Sequence, residues 1–304
     1  MTENTTDPRI PLPAELFQPV GDAAPQAPDN PLTQYFRHAK LQVELPSGGK
    51  FWNQGALELK EGKYLDVLSM TARDEIIMKS PEGLLTGTSV AEAISSCIPG
   101  IKDPWHIPAP DLDTVLIALR LASYEHEMKF KSVCPHCKTL NEDTIDLRVL
   151  LDNIPKGDIK NIFTIGDLTF EFKPYDFKFI NETSKAQFEQ EQLAKTMADS
   201  SISDDDKKVY FHNMFSKLAE HNTETLVKAI TQVSMPTGSV VSNKEQIKEF
   251  IDNADRNMIK EIRNKINKMA ESWTMAPINL ECENEECKKK YDTTVEFNQA
   301  NFFE

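Results

Sequence analysis

Apolar residues fall on alternate positions early in the chain and at every third or fourth position later, so a mixed strand and helix fold is expected. In "AKLQVELPSGGKFW", Leu41, Val43 and Leu45 alternate and then meet Pro46-Ser47-Gly48-Gly49. That pattern predicts a strand, a tight turn and a return strand. "KYLDVLSM" continues in the same style. "TARDEIIMKSPEGLLTGTSVAEAISSCI" then predicts helix in two pieces, broken at Ser80-Pro81 and Gly83, with Thr88 and Ser89 as N-caps of the second. Cys97 lies on that second piece among apolar neighbours and reads as a small buried hydrophobe. In "PAPDLDTVLIALRLASY", Asp111 is placed to cap a helix whose stripe is Leu112, Val115, Leu116 and Leu119. Ile117 and Leu121 widen its apolar surface, which puts this helix at the centre of the first domain.

Between about 150 and 175 the chain reads as strands separated by Gly and Pro turns, and after Phe179 it becomes helical and charged. Phe211, Met214, Phe215 and Leu218 follow helical spacing behind Asp204–Asp206, where negative charge suits a helix start. "TETLVKAITQV" adds Leu226, Ile230 and Val233 as a further helix stopped by Pro236 and Gly238. The longest periodic run is Lys244–Trp273, with Ile247, Ile251, Ala254, Met258, Ile262, Ile266, Met269 and Trp273 on one face and a break near Asp252–Asp255. Such a face either packs inside a helical subdomain or docks a partner subunit. Residues 1–34 carry seven prolines and few large apolar side chains, so they read as a disordered arm or as one that orders on a partner through "ELFQPV". The resulting division is an arm at 1–34, an α+β domain at 35–174, a helical insertion at 175–275 and a closing segment at 276–304. The fold class is α+β.

Charge narrows the partners. The chain has 304 residues, 48 acidic against 34 basic, and a net charge of -14. Such a surface repels a phosphate backbone at long range. No apolar run reaches the roughly 18 residues of a membrane span, and Met1–Gln34 lacks the basic start and apolar block of a signal peptide. A reducing cytoplasm is the simplest setting, and there paired thiols hold metal more often than they form disulfides.

Four of the five cysteines form two close pairs, in "KSVCPHCKTLNEDTIDL" and "INLECENEECKKKYDTTVEF". Aligning Cys137 with Cys287 superposes Thr144 on Thr294, then Ile145-Asp146-Leu147 on Val295-Glu296-Phe297. Each unit reads as an incoming strand, a turn bearing two thiols and a return strand. These two zinc-knuckle hairpins supply Cys134, Cys137, Cys282 and Cys287, with C-x2-C and C-x4-C spacings that suit a tetrahedral structural zinc. His136 in place of one cysteine, a redox pair and an iron–sulfur cluster are the alternatives. The redox pair lacks a thioredoxin-like strand–CxxC–helix setting. The pairs flank the helical segment, so zinc would lock the first domain to the C-terminal end of the chain.

Catalytic signatures are missing. There is no Walker loop, no G-x-G-x-x-G after a strand, no G-x-S-x-G elbow and no H-E-x-x-H. "SISDDDKK" lacks the glycine and terminal glutamate of a calcium loop. A zinc-ribbon nucleic-acid binder is the alternative function, but Glu281, Glu283, Glu285 and Glu286 offset Lys288, Lys289 and Lys290 around the second pair.

The order of segments carries a resemblance. "SMTARDEIIMKSPEGLLTG", "SCIPGIKDP" and "DLDTVLIALRLASYEHEMKFKSVCPHC", preceded by "LPSGG", are similar over about residues 38–150, and more loosely at the second cysteine pair, to the baseplate protein family of T4-like contractile-tailed phages. The family includes baseplate hub subunits and hub assembly factors. The resemblance implies a non-enzymatic virion structural or assembly protein, made in the host cytoplasm. Its partners would be other hub and baseplate proteins, and it would either stay in the finished tail or act only during assembly.

Overall fold

The computed structural model of the chain describes residues 30–197 and 221–295. The chain divides into two units, 1–37 and 38–304. In the first, a 3-10 helix spans Pro31–Tyr35, capped by the Asn30 side chain, which accepts from the Leu32 N–H at 3.0 Å. The "ELFQPV" segment lies outside the described residues, as do Asp204–Asp206, "SISDDDKK" and the Phe211–Leu218 stripe.

The second unit opens on two strands, β1 (Ala39–Glu44) and β2 (Tyr64–Leu68), antiparallel with Val43 opposite Leu65; the return strand expected directly after Gly49 is turn instead, and the partner comes from the later "YLDVL" segment. Their alternation sends Val43, Leu65 and Val67 into a first core. Three helices follow where two were expected: α1 (Ala72–Met78), α2 (Pro81–Thr86) and α3 (Thr88–Cys97). The second break is at Gly87, φ 75°, not at Gly83. A side chain at Gly87 would also collide with Asn181, whose amide donates to the Thr86 carbonyl at 2.6 Å. Thr88 and Ser89 do not cap α3. Ser89 is buried and its hydroxyl donates to the Ile77 carbonyl at 2.8 Å, so it ties α3 to α1 instead.

α4 (Ala109–Ser123) is the central helix, buried on nearly every side, as an all-round apolar helix must be. Pro108 sits at its N-cap, and Asp111 does not cap it. The Asp111 carboxylate instead accepts from the Ser47 N–H at 2.8 Å, the Ser47 hydroxyl at 2.5 Å and the Trp52 indole N–H at 2.7 Å. It therefore pins the "LPSGG" turn to α4.

β3 (Glu127–Val133) and β4 (Leu140–Asp146) form the next hairpin, and α5 (Leu147–Asn153) follows where strand was expected. β5 (Ile162–Ile165) and β6 (Leu168–Phe172) lead into α6 (Phe177–Met197). Residues 221–229 are helical (α7), and β7 (Ile230–Ser234) and β8 (Val240–Val241) complete a four-stranded antiparallel sheet in the order β5-β6-β7-β8. The stretch read as helical throughout thus contributes two strands.

α8 (Lys244–Asn253) and α9 (Arg256–Glu271) break where the pattern predicts, with Asp255 capping α9. Their stripe faces inward. Ile247, Ile251, Ile262, Ile266 and Met269 are buried in a second core with Phe163, Phe170 and Phe172 of the sheet. This corrects the docking reading for those five residues, because apolar side chains already covered by the sheet have no surface left to offer a partner, while Ala254, Met258 and Trp273 are half-buried. β9 (Ile278–Glu281) and β10 (Lys290–Thr293) form the last hairpin.

Candidate metal centre

The turns of the two hairpins meet. Cys134 and Cys137 sit between β3 and β4, and Cys282 and Cys287 sit between β9 and β10. The four sulfurs all lie within 4.8 Å of one another. Cys134 Sγ is 3.9 Å from Cys287 Sγ, and Cys137 Sγ is 3.5 Å from Cys282 Sγ. A tetrahedron with zinc–sulfur arms of about 2.3 Å has edges of about 3.8 Å, so the spacing fits such an ion, and the donor set is thiolate throughout. His136 is exposed and stands outside the cluster. Cys97 is also apart, buried in the first core with its thiol 3.9 Å from Asp74 Oδ2.

Local backbone aims the sulfurs. The Cys134 N–H donates to the Thr139 carbonyl at 2.9 Å, and the Cys282 N–H donates to the Lys289 carbonyl at 3.0 Å. These bonds close equivalent loops, the second longer by the two extra residues of C-x4-C. Directly after the second cysteine of each pair, Lys138 (φ 63°) and Lys288 (φ 41°) take the left-handed conformation. That conformation reverses the chain so tightly that both thiols of a pair face one side.

Beneath the sulfurs lies a buried polar bridge that the sequence reading missed. Ser132 and Asn141 face each other across the first hairpin, and Leu280 and Tyr291 occupy the equivalent positions in the second. The Tyr291 hydroxyl lies 2.6 Å from Ser132 Oγ and accepts from the Asn141 amide at 2.8 Å. Asn141 Oδ1 in turn accepts from the Glu283 N–H at 2.9 Å. Every polar group of this bridge is thereby matched across the two hairpins, which fixes their register on one another. The alignment that superposes Cys137 on Cys287 also superposes Asn141 on Tyr291 and Lys138 on Lys288, and that was the signal available. Further on the strands differ in length, β4 continuing to Asp146 while β10 stops at Thr293, yet Val295 packs against the first core as its counterpart Ile145 does. Glu296 and Phe297 lie outside the described residues.

The cysteines differ in how readily they ionise. Contacts from the Thr139 side chain and backbone hold the Cys137 thiol down to about 6, while burial pushes Cys282 up to about 12. A divalent cation among the four sulfurs would reverse the elevation at Cys282, since its charge outweighs the loss of water.

Fold and centre together define a class: an α+β protein whose distant hairpins are clasped at a four-cysteine cluster able to hold a metal ion. A family model described as T4 bacteriophage base plate protein matches residues 38–304, and the chain belongs to that family. It is a phage baseplate component, and its associates are other phage structural proteins. The match begins where the second unit begins and extends past the 38–150 resemblance through α6–α9 and the second cysteine pair. No curated protein and no solved structure matches the chain. No helix among the described residues is long and apolar enough to cross a membrane.

Proposed function

We propose that the chain is a baseplate scaffold, a hub subunit or hub assembly factor that works by binding partner subunits and not as an enzyme. In this reading Cys134, Cys137, Cys282 and Cys287 hold one structural zinc ion. The observation that carries it is the convergence of four sulfurs from two hairpins far apart in the sequence, with measured separations of 3.5 and 3.9 Å close to the edge of a zinc tetrahedron. Zinc would supply a fixed cross-link there. Four thiolates fill its coordination sphere, leaving no position for a substrate. The chain's own part is to orient the sulfurs through the paired loops and to hold the hairpins in register through Tyr291. Synthesis in the host cytoplasm, where thiols stay reduced, suits this chemistry.

Elemental analysis of purified protein tests the centre. One zinc per chain is expected, lost when Cys134 and Cys282 are both replaced by serine, and a metal-free protein with full thermal stability would sink it. Mass spectrometry of purified intact tails then separates the two roles: presence selects a hub subunit, absence an assembly factor. Mobility-shift titration with duplex DNA at moderate salt should show no complex.

A further inference from the structure

A cavity of about 150 Å³ opens where α4, α5 and the two legs of the C-terminal hairpin meet, with Asp113, Leu150, Trp273, Met275, Ile278 and Val295 in its wall together with the hydroxyl-bearing Thr274 and Thr294. That volume is well below a small-molecule site, which runs to hundreds of cubic ångströms, and it matches one long side chain. Met275 and Ile278 lead into β9 and Val295 follows β10, so docking of the C-terminal hairpin shapes the walls.

Asp113 is the one ionisable residue in this lining. Among the described residues its carboxylate has no hydrogen-bond or ion-pair partner, and burial alone pushes it up to about 6. Asp111, two positions earlier on the same helix, shows the contrast: it is more deeply buried, yet three donors satisfy it. A carboxylate drawn out of water without a cationic partner is costly, and no cationic group among the described residues lines the cavity; of its two hydroxyls, that of Thr274 already donates to the Ala270 carbonyl. Residues 296–304, which continue from the cavity wall, contain no lysine or arginine. The chain as a whole carries a net charge of -14, which favours basic partners.

We infer that this cavity is a receptor for a single arginine side chain presented by a neighbouring protein, with the guanidinium paired to Asp113 and its stem against Trp273 and Met275. Arginine is chosen over lysine because its planar, weakly hydrated head pairs with a carboxylate through two parallel hydrogen bonds and lies flat on apolar and aromatic walls. The inference rests on the scaffold reading for the source of the arginine, since a scaffold acts by engaging protein side chains.

The test uses the full chain with ¹³C-methyl-labelled methionine, the Met275 signal assigned from Met275→Leu. N-acetyl-arginine N-methylamide should move that signal saturably, with a Kd on the order of 1 mM. The citrulline analogue, equal in shape and uncharged, should not, and Asp113→Asn should weaken the arginine probe at least tenfold. No saturable shift, or an equal shift with citrulline, overturns the proposal on the unmutated chain alone, so it stands or falls even if the variant misfolds. An arginine response undiminished in a folded Asp113→Asn protein overturns it as well. Failure of the scaffold reading would show separately, as a chain that forms no complex with other baseplate proteins while the titration is unaffected.

Discussion

The second core and the cysteine centre perform the same task by different physics. Each joins segments far apart in the sequence: β5–β6 to α8–α9 in one, and the β3–β4 hairpin to the β9–β10 hairpin in the other. The second core does so with fourteen buried apolar residues, among them Phe170 and Phe172 with no exposed surface. The buried apolar cluster of the centre has three residues, and two of them are cysteines. Burial of a full aromatic or aliphatic side chain contributes about 1.5–3 kcal/mol, so the second core holds itself together, whereas the cysteine ends of the hairpins, beyond Met128, Phe130, Ile145 and Ile278 that pack in the first core, cannot. With the proposed zinc in place, the lesson is that a two-stranded hairpin end, marginal on its own, becomes a rigid part when a cross-link supplies what apolar packing there does not.

The sharpest way to break this comparison is to remove the zinc proposed for the centre. A strong zinc chelator, or Cys282→Ser, should destabilise the hairpins by more than about 4 kcal/mol, the range reserved for loss of a metal site or similar damage. Hydrogen exchange should then lose protection at 132–141 and 280–291 while 162–172 and 244–271 stay protected. Simultaneous loss in both regions would show that the centre and the second core are one cooperative unit. Because the cysteine thiols must shed their protons to bind metal as thiolates, acid should mimic the chelator.

The converse experiment is Phe170→Ala. A fully buried phenylalanine leaves a cavity, and the expected loss is about 3–5 kcal/mol. Zinc stoichiometry should not change in the protein that remains folded. A variant that also releases zinc would show that the hairpins depend on the second core for their placement.

Legibility differed between the two regions for physical reasons. The cysteine pairs and their hairpins were visible because metal chemistry demands specific residues at fixed short spacing, which one sequence displays. The α8–α9 stripe was visible because the helical period survives the break at Asp255. β7 was not. Leu226, Ile230 and Val233 have helical spacing, yet Ile230 and Val233 lie on a strand. There β7 advances two residues, Ile230 to Gln232, while β6 advances one, Phe172 to Glu171. That bulge returns Ile230 and Val233 to the same buried face despite an odd separation, and so it imitates a helix. Asp111 was misread for a different reason. Its position fits a cap, but its donors Ser47 and Trp52 come from a distant turn, and tertiary partners leave no periodic trace. The α+β class survived these errors because it depends on the elements present and not on their partners.

Tyr291→Phe sharpens the comparison inside the centre. It removes the hydroxyl shared by Ser132 and Asn141 and leaves buried polar groups with a partner missing. The expected cost is about 1–3 kcal/mol, with zinc retained. If zinc is lost, the polar bridge and not the sulfur geometry sets the site.

The smallest effect carries the opposite sign. Lys138 and Lys288 are exposed and hold left-handed backbone that costs an L-residue roughly 1–2 kcal/mol. Glycine there removes that strain, and its greater freedom in the unfolded chain takes back about 0.4–1 kcal/mol. Lys138→Gly should therefore raise the stability of the zinc-loaded protein by a few tenths to about 1 kcal/mol, read from denaturant midpoints at equal slope. The gain should vanish with chelator, because hairpins already open without the metal release no strain. A gain that persists without zinc would mean the knuckle keeps its shape unaided. The hairpins would then be held by their own backbone, as the second core is by its side chains, and the contrast between the two regions would fail.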